Sequence, residues 1–552
     1  MASQLSSYPL LARIAAHAQT SPASPAITDV PASLEVSYGA LASDVVSLGG
    51  AIVRALVPGA ENDVGEARVA VLCDKGYLVP LALLSTWAAG GFAIPVLPAL
   101  PVPEQAYLVN NGDVALIITD GKNRARADEL ARVKEGGVPC AVLEISLESV
   151  REGASADAVP DPAAHLASRP PIAGDRRAMM LYTSGTTGRP KGVVTRHSAL
   201  AAQAESVVTA WRWTSADNLL HVLPLNHLHG IVVALLPTLW AGAAVEMWER
   251  FDGAKVWLRW INAEGKRPIS MFFAVPTVYT RLIEAHEKLD ADTRAAASRA
   301  SATLRLQVSG SAPLPESVKA AWEKEGGVGG GQVLLERYGM TETGLIATTG
   351  WENEKRVKGC VGFPMPSVSI RLWDTESNVL VSARDTPGEV QVSGPGIMRE
   401  YWRLPEATAK EITPDGWFKT GDVAVWSGAQ GAPEAEGMLR ILGRSSQDII
   451  KSGGEKISAI EIERAILELE GMKDAAVVGV PDDVWGQVVA ACIVTTRSEL
   501  SLASLRDELR AELAAFKLPR KLKVFDTIPR NAMGKIQKKI IVQNEFVAPA
   551  AA

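Results

Sequence analysis

Apolar and polar positions along this chain alternate in two textures, with the change near residue 356. From about residue 35 to 350, short apolar runs such as Val69-Ala-Val-Leu72 and Val114-Ala-Leu-Ile-Ile-Thr119 are each followed by polar or alanine-rich helical stretches. That alternation predicts parallel sheets covered by helices. An apolar-periodic stretch, Leu10–His17, predicts an early helix. Leu78–Leu100 is almost wholly apolar but carries Pro80, Gly90, Gly91, Pro95 and Pro98, so it predicts a buried helix, a turn and a strand and not a membrane span. Ile231–Val245, interrupted by Pro237 and Gly242, reads the same way. Residues 146–176 are rich in Pro, Ala and Asp without periodicity, and are expected to form a linking loop.

From 356 to 443 the runs shorten and are split by Gly and Pro, as in Val368–Leu372, Gly388–Val392 and Gly437–Ile441, which predicts a small β-barrel-like subdomain. After Arg444 the pattern restarts with a helix at Ile460–Leu469, strands at Ala475–Val480 and Val488–Val494, a helix at Leu502–Ala515 and a strand at Leu522–Phe525. The expected class is therefore α/β, with a large N-terminal domain over 1–443 and a small α+β domain over 444–552. Gly326-Gly-Val-Gly-Gly-Gly331 fails G-x-G-x-x-G and follows a helix, so it reads as a flexible loop and not a dinucleotide site.

Composition narrows the class. The chain has 552 residues, 47% of them hydrophobic and 21% charged, which suits a globular protein of more than one domain. Its net charge of -6 argues against a nucleic-acid surface. Cys73, Cys140, Cys360 and Cys492 lie far apart with no C-x-x-C pair, which fits a reducing compartment and neither a disulfide framework nor a zinc site. No basic amphipathic extension precedes the first helix, so the cytoplasm is the expected location, with a mitochondrial one left open.

The chemistry concentrates in a few segments. Leu181-Tyr-Thr-Ser-Gly-Thr-Thr-Gly-Arg-Pro-Lys-Gly-Val-Val194 sets hydroxyls, glycines and one lysine behind an apolar run. Glycines let backbone N–H groups close around a phosphate, hydroxyls donate to its oxygens, and Lys191 adds charge. It is not a P-loop, because glycine follows Lys191 where a magnesium-binding Ser or Thr would stand. Downstream come Gln307-Val-Ser-Gly-Ser-Ala-Pro313, Leu335-Glu-Arg-Tyr-Gly-Met-Thr-Glu342, Trp417-Phe-Lys-Thr-Gly-Asp422, and Pro529-Arg-Asn-Ala-Met-Gly-Lys-Ile536. No G-x-S-x-G elbow and no H-E-x-x-H occurs, which disfavours hydrolases.

Together these segments resemble the adenylate-forming superfamily of acyl-CoA synthetases, peptide-synthetase adenylation domains and luciferases, from roughly residue 10 to 545. The resemblance implies a two-step ligase that uses ATP, Mg²⁺ and coenzyme A, with a mobile C-terminal domain. It assigns ATP to Thr183, Ser184, Gly185, Thr186, Thr187, Gly188 and Lys191, and to Gly310, Ser311 and Ala312, whose backbone would lie against adenine. Glu336, Arg337, Tyr338, Gly339, Met340 and Thr341 would complete the nucleotide site, with Asp422 and Arg444 on the ribose. Thr186 and Glu342 would hold magnesium and act on the reacting phosphates, and Lys535 would stabilise charge in the adenylation step. Ser452, Gly453 and Gly454 would line the pantetheine tunnel. Relatives commonly read G-R-x-K-D at the hinge; Arg444-Ser-Ser-Gln-Asp448 is one residue longer, leaving Ser446 and Gln447 as candidates for the turning residue.

The acid pocket would be built from Leu223–Gly230, the helix after Pro276, the strand end at Ser309 and the turn after Tyr338. A dicarboxylic acid needs a buried cation for its second carboxylate. Arg281, in Pro276-Thr-Val-Tyr-Thr-Arg281, is the candidate fork, with His229 and Ser309 beside it. This segment, with Phe272–Val275, Arg399-Glu-Tyr-Trp402 and Asp448–Lys451, looks most like malonyl-CoA synthetases. The alternative is a short- or medium-chain monocarboxylate ligase. Small-molecule partners are expected, with no nucleic acid and no integral membrane association.

Overall fold

The computed structural model describes residues 9–57, 63–137, 139–156, 159–168, 175–183, 189–262, 265–428, 433–445, 447–453, 455–530 and 536–546. Two large sheets dominate. The first has nine strands, and its six central ones, Pro25–Asp29, Ala244–Met247, Asn218–His221, Met271–Ala274, Leu306–Gly310 and Leu335–Met340, run parallel. The second has seven strands and a parallel core that includes Arg68–Leu72, Phe92–Pro95 and Leu116–Thr119, closed at one edge by antiparallel Lys191–Arg196 and Glu400–Tyr401. Strands such as Met271–Ala274 and Leu306–Gly310 are buried along their whole length, as parallel strands covered on both faces must be.

One core joins the two sheets through the helices between them. Ile27, Val245, Phe273 and Val308 from the first sheet share it with Val69, Val71, Leu116 and Ala178 from the second. Leu78–Ala88 is a helix followed by the strand Phe92–Pro95, as its broken apolar run predicted. Tyr38–Leu56 is long and apolar enough to cross a membrane, yet it buries Leu41, Val45, Leu48 and Ile52 in this core. A second core on the outer face of the nine-stranded sheet is aromatic: Trp257 packs edge-on to Trp260 at 4.9 Å between ring centroids, and Tyr279 packs the same way on Trp322 at 5.0 Å.

The stretch expected as a loop over 146–176 instead contains two helices, Leu147–Ala156 and Pro162–Ala167. The second is too short to show periodicity, and its start is fixed by Asp161, which caps the Ala164 N–H, with Pro162 in the first turn. Beyond residue 368 stands a five-stranded antiparallel sheet from Ser369 to Arg444. The last unit builds a core of its own from Ile450, Ile462, Ile466, Val477, Ile493 and Leu505. It contains a hairpin absent from the sequence reading, Ile449–Ser452 with Glu455–Ser458, and its second helix ends early, at Leu509.

Candidate functional site

The residues singled out in the sequence come from strand ends of both large sheets and from the antiparallel sheet. Leu335–Met340 and Gly344–Thr348 form a hairpin, with Thr341 and Glu342 in its turn. The turn is tight because Gly339 and Gly344 face each other: a Cβ on Gly339 would stand 2.3 Å from the Gly344 carbonyl oxygen. Tyr338 donates its hydroxyl to Asp422 Oδ2 at 2.6 Å, and Arg444 Nε donates to Asp422 Oδ1 at 2.8 Å. Asp422 and Arg444 are register partners on neighbouring strands. The carboxylate is thus fixed from both sides and keeps free lone pairs for a diol.

Glu342 is buried, and burial pushes its carboxyl above the usual range, offset by the hydroxyl of Tyr401, which donates at 2.9 Å. No other side-chain bond to Glu342 occurs among the described residues. Its second oxygen is therefore open to a cation. Among the described residues no cluster of three or more acidic, His or Cys side chains could hold a metal. That donor set fits magnesium arriving with a nucleotide, which takes one or two carboxylates plus phosphate oxygens. Lys191 opens its strand beside Thr183, its register partner, and its ammonium lies 4.8 Å from the centroid of the Tyr401 ring.

The same strand carries a second centre. Glu336 and Arg337 point oppositely, as neighbours on a strand must. Glu336 is buried against Lys319, 3.0 Å away, while its backbone N–H donates to Thr349 Oγ1 at 3.0 Å and its carbonyl accepts from the Thr349 N–H at 2.9 Å. Arg337 folds over its register partner Gly310, where a Cβ would stand 2.4 Å from Nε. Its Nη2 donates to Ser311 Oγ at 2.7 Å, while Nε has no partner. Burial pulls this guanidinium down to about 9. Ser311 Oγ also lies 3.3 Å from His229 Nδ1. A hydroxyl that accepts from Arg337 donates its own proton to His229, which burial holds well below its usual pKa and hence neutral. The His229 proton then sits on Nε2, which has no partner either. The buried Ser309 Oγ, two residues upstream of Ser311, is also unpaired. Arg337 Nε and His229 Nε2, joined through Ser311 Oγ, are two donors with no acceptor and can receive an anion, whereas Ser309 shares the opposite face with its register partner Glu336.

His229 opens a π-helical stretch, His229–Leu235, a wide turn often found at functional sites. Its neighbour Gly230 is required by close packing, since a Cβ there would meet the Pro224 carbonyl oxygen at 2.1 Å. Arg281, the fork expected from sequence, occupies an exposed position of the helix Pro276–Glu287. The buried cation of this region is Arg337, which the sequence reading assigned to the nucleotide. Two charged residues at the end of an apolar run, Leu334-Leu-Glu-Arg337, were the signal available.

Ser452 is buried and Gly453 has φ 59°, with a would-be Cβ 2.6 Å from the Trp485 ring. Asp448 accepts from the Arg444 N–H at 3.0 Å and pairs with Lys538 at 2.6 Å, and Lys538 also holds Glu463 at 2.7 Å. Sequence reasoning missed Lys538 and Glu463; it named Ser311 for its backbone and Tyr401 only within a family-like segment, without the contacts their hydroxyls make. Ser184, Gly185, Thr186, Thr187, Gly188, Ser446, Gly454 and Lys535 lie outside the described residues.

The chain is similar to known proteins over most of its length. The AMP-binding enzyme family matches residues 14–402, and the AMP-binding enzyme C-terminal domain matches residues 461–535. A CoA ligase of Gibberella moniliformis is 40% identical over 531 residues, covering 88% of this chain and 86% of its own length. A mitochondrial malonate–CoA ligase of Mus musculus is 37% identical over 509 residues, covering 88% and 83%. The crystal structure of ATP-bound MatB from Rhodopseudomonas palustris matches with a TM-score of 0.80 at 30% identity, covering 98% of each chain.

Proposed function

The chain belongs to the AMP-binding enzymes, and on that premise we propose that it joins malonate to coenzyme A, consuming ATP and releasing AMP and pyrophosphate. The observation that carries the choice of acid is the buried pair of Arg337 and His229, joined through Ser311, with no carboxylate bonded to the guanidinium among the described residues. A monocarboxylate with an alkyl tail would leave these donors unmet, each at about 1–3 kcal/mol. A second carboxylate satisfies them and offsets the cost of burying the guanidinium. The mouse relative's name points to the same acid.

In the first step a malonate carboxylate oxygen attacks the α-phosphorus of ATP, the α–β phosphoanhydride bond breaks, and pyrophosphate leaves. Lys191 and the turn bearing Thr341 face the phosphates, and Asp422, steadied by Tyr338 and Arg444, holds the ribose diol. Magnesium, held by Glu342, would neutralise phosphate charge as it develops. Lys535 is the cation assigned to the adenylation step by family resemblance. In the second step the coenzyme A thiolate attacks the acyl carbon, the mixed anhydride opens, and AMP leaves. Gly453, pressed against Trp485, lies where the thiol arm would enter. All four cysteines are free thiols in this structure, consistent with a reducing compartment, and the cytoplasm is our reading.

The test is a panel of acids with the purified enzyme, reading AMP and the acyl-CoA product. Malonate is expected to outperform butyrate by at least about 100-fold in kcat/KM, as a site built for a polar group rejects the analogue lacking it. Equal or better turnover of butyrate would overturn the malonate reading and leave the ligase class standing.

A further inference from the structure

The short segment Met398–Trp402 is stitched between the two halves of the phosphate site. Met398 donates its N–H to the Glu342 carbonyl at 2.7 Å, Arg399 to Val194 at 2.8 Å, and Trp402 to Gly192 at 2.7 Å. Tyr401, in the middle, is buried to 6% exposure and touches both charged groups of the site. Its hydroxyl donates to Glu342 Oε1 at 2.9 Å, and its ring face carries the Lys191 ammonium at 4.8 Å.

A buried carboxylate and a nearby ammonium ordinarily close into an ion pair, because each is costly to leave uncompensated. Here they do not: among the described residues neither Glu342 nor Lys191 forms a salt bridge. We propose that Tyr401 is a positioning residue that keeps Glu342 and Lys191 apart before the nucleotide arrives, reserving the carboxylate for the divalent cation and the ammonium for phosphate oxygens. The phenol suits both tasks. Its O–H satisfies one carboxylate oxygen and leaves the other free, and its quadrupole holds the ammonium without neutralising it. The strand pairing Glu400↔Val194 and Tyr401↔Val193 fixes the ring relative to Lys191, so the spacing is set by backbone and not by two flexible side chains. The inference rests on the nucleotide reading of the cleft and is independent of which acid is used.

Tyr401→Phe and Tyr401→Leu in the full chain separate the two tasks. ATP binding is measured by calorimetry with chelator and across a magnesium series, together with melting temperature and acid-dependent pyrophosphate exchange. Phe keeps the ring and loses the hydroxyl. It should raise half-saturating magnesium about tenfold, the usual cost of removing a partner of a metal-binding carboxylate. Metal-free ATP affinity and the KM for the acid should stay within about twofold of wild type. Leu also releases Lys191 to pair with Glu342, so metal-free ATP affinity should fall as well, by roughly tenfold. A wild-type magnesium titration in Tyr401→Phe overturns the proposal whether or not the Leu variant folds. So does a uniform loss of ATP, magnesium and acid binding together with a lowered melting temperature, which would mark Tyr401 as packing only. Wild-type enzyme that binds ATP without any response to magnesium would overturn the proposal and leave the nucleotide reading standing, whereas failure to bind ATP at all would remove that reading and the proposal with it.

Discussion

At the scale of single residues, the molecule keeps cations that pair with no carboxylate among the described residues, and their cost depends on pH. Lys75 is the clearest outside the candidate site. Its ammonium donates to the His221 carbonyl at 3.0 Å, and burial lowers it from the usual 10.5 to about 7. A lysine pKa depressed by folding means that the unfolded chain binds more protons between about pH 7 and 10.5. Stability therefore rises with pH across that window, and the full penalty, on the order of 4–5 kcal/mol, applies below it. Lys75→Met should raise the melting temperature by a few degrees at pH 6.5, with the gap closing by pH 10. The His221 carbonyl keeps a donor, since Trp248 N–H also reaches it at 3.2 Å. Melting curves of the two proteins that stay parallel across pH would show that the ammonium is not the source of the penalty.

At the scale of elements, the strand ends and turns carry what the strands only support. Ser311 sits just past the strand Leu306–Gly310 at φ 71°, a left-handed conformation that costs a side chain roughly 1 kcal/mol or more. That strain is retained where the hydroxyl links Arg337 to His229. Ser311→Gly should hold or raise the melting temperature while lowering kcat/KM for malonate about tenfold, with the KM for ATP little changed. A variant with unchanged malonate kinetics would make the strain incidental. The strands themselves were legible in the sequence because a period of two and unbroken apolar runs are local signals, as for Val69–Leu72 and the helix, turn and strand after Leu78. The small helices at Leu147–Ala156 and Pro162–Ala167 were not, being shorter than the window of about 11 residues over which an apolar period shows. Motif segments pointed to candidate nucleotide residues, Arg337 among them, while Arg281 was expected to be the buried cation and is exposed. Which guanidinium is buried depends on the partner strand bearing Gly310, and that pairing is not written in either segment.

At the scale of the whole molecule, the nucleotide site is tied by one run of contacts to the last domain. Tyr338 holds Asp422, Asp422 holds Arg444, and the Arg444 backbone holds Asp448, which pairs with Lys538 beside Glu463. Lys358 adds a contact between units, 2.7 Å from Glu468, but it is exposed and is worth at most about 1 kcal/mol. An enzyme that uses two faces of one domain in turn should let the two half-reactions be broken separately. Gly453→Val places a side chain against Trp485 at a positive φ. It should leave malonate-dependent pyrophosphate exchange within about threefold of wild type and cut thioester formation by roughly 100-fold, the order expected when a misplaced group blocks approach. Equal loss of both halves would place Gly453 in the stability of the domain and not on the path of the thiol.

The central claim, that Arg337 receives the second carboxylate of malonate, is tested most directly by the ratio of kcat/KM for malonate to that for butyrate in wild type, Arg337→Lys and Arg337→Ala. Removing one partner of a buried charge pair costs about 3–5 kcal/mol, so Arg337→Ala should lose roughly 10²–10³-fold or more on malonate. Butyrate, which has nothing to offer the guanidinium, should change little. Lysine keeps the charge without the fork and should recover part of the malonate activity. A collapse of the malonate-to-butyrate ratio in Arg337→Ala, with partial return in Arg337→Lys, is the predicted result. A ratio that stays constant while both activities fall would contradict the account and make Arg337 a support for the strand that carries it.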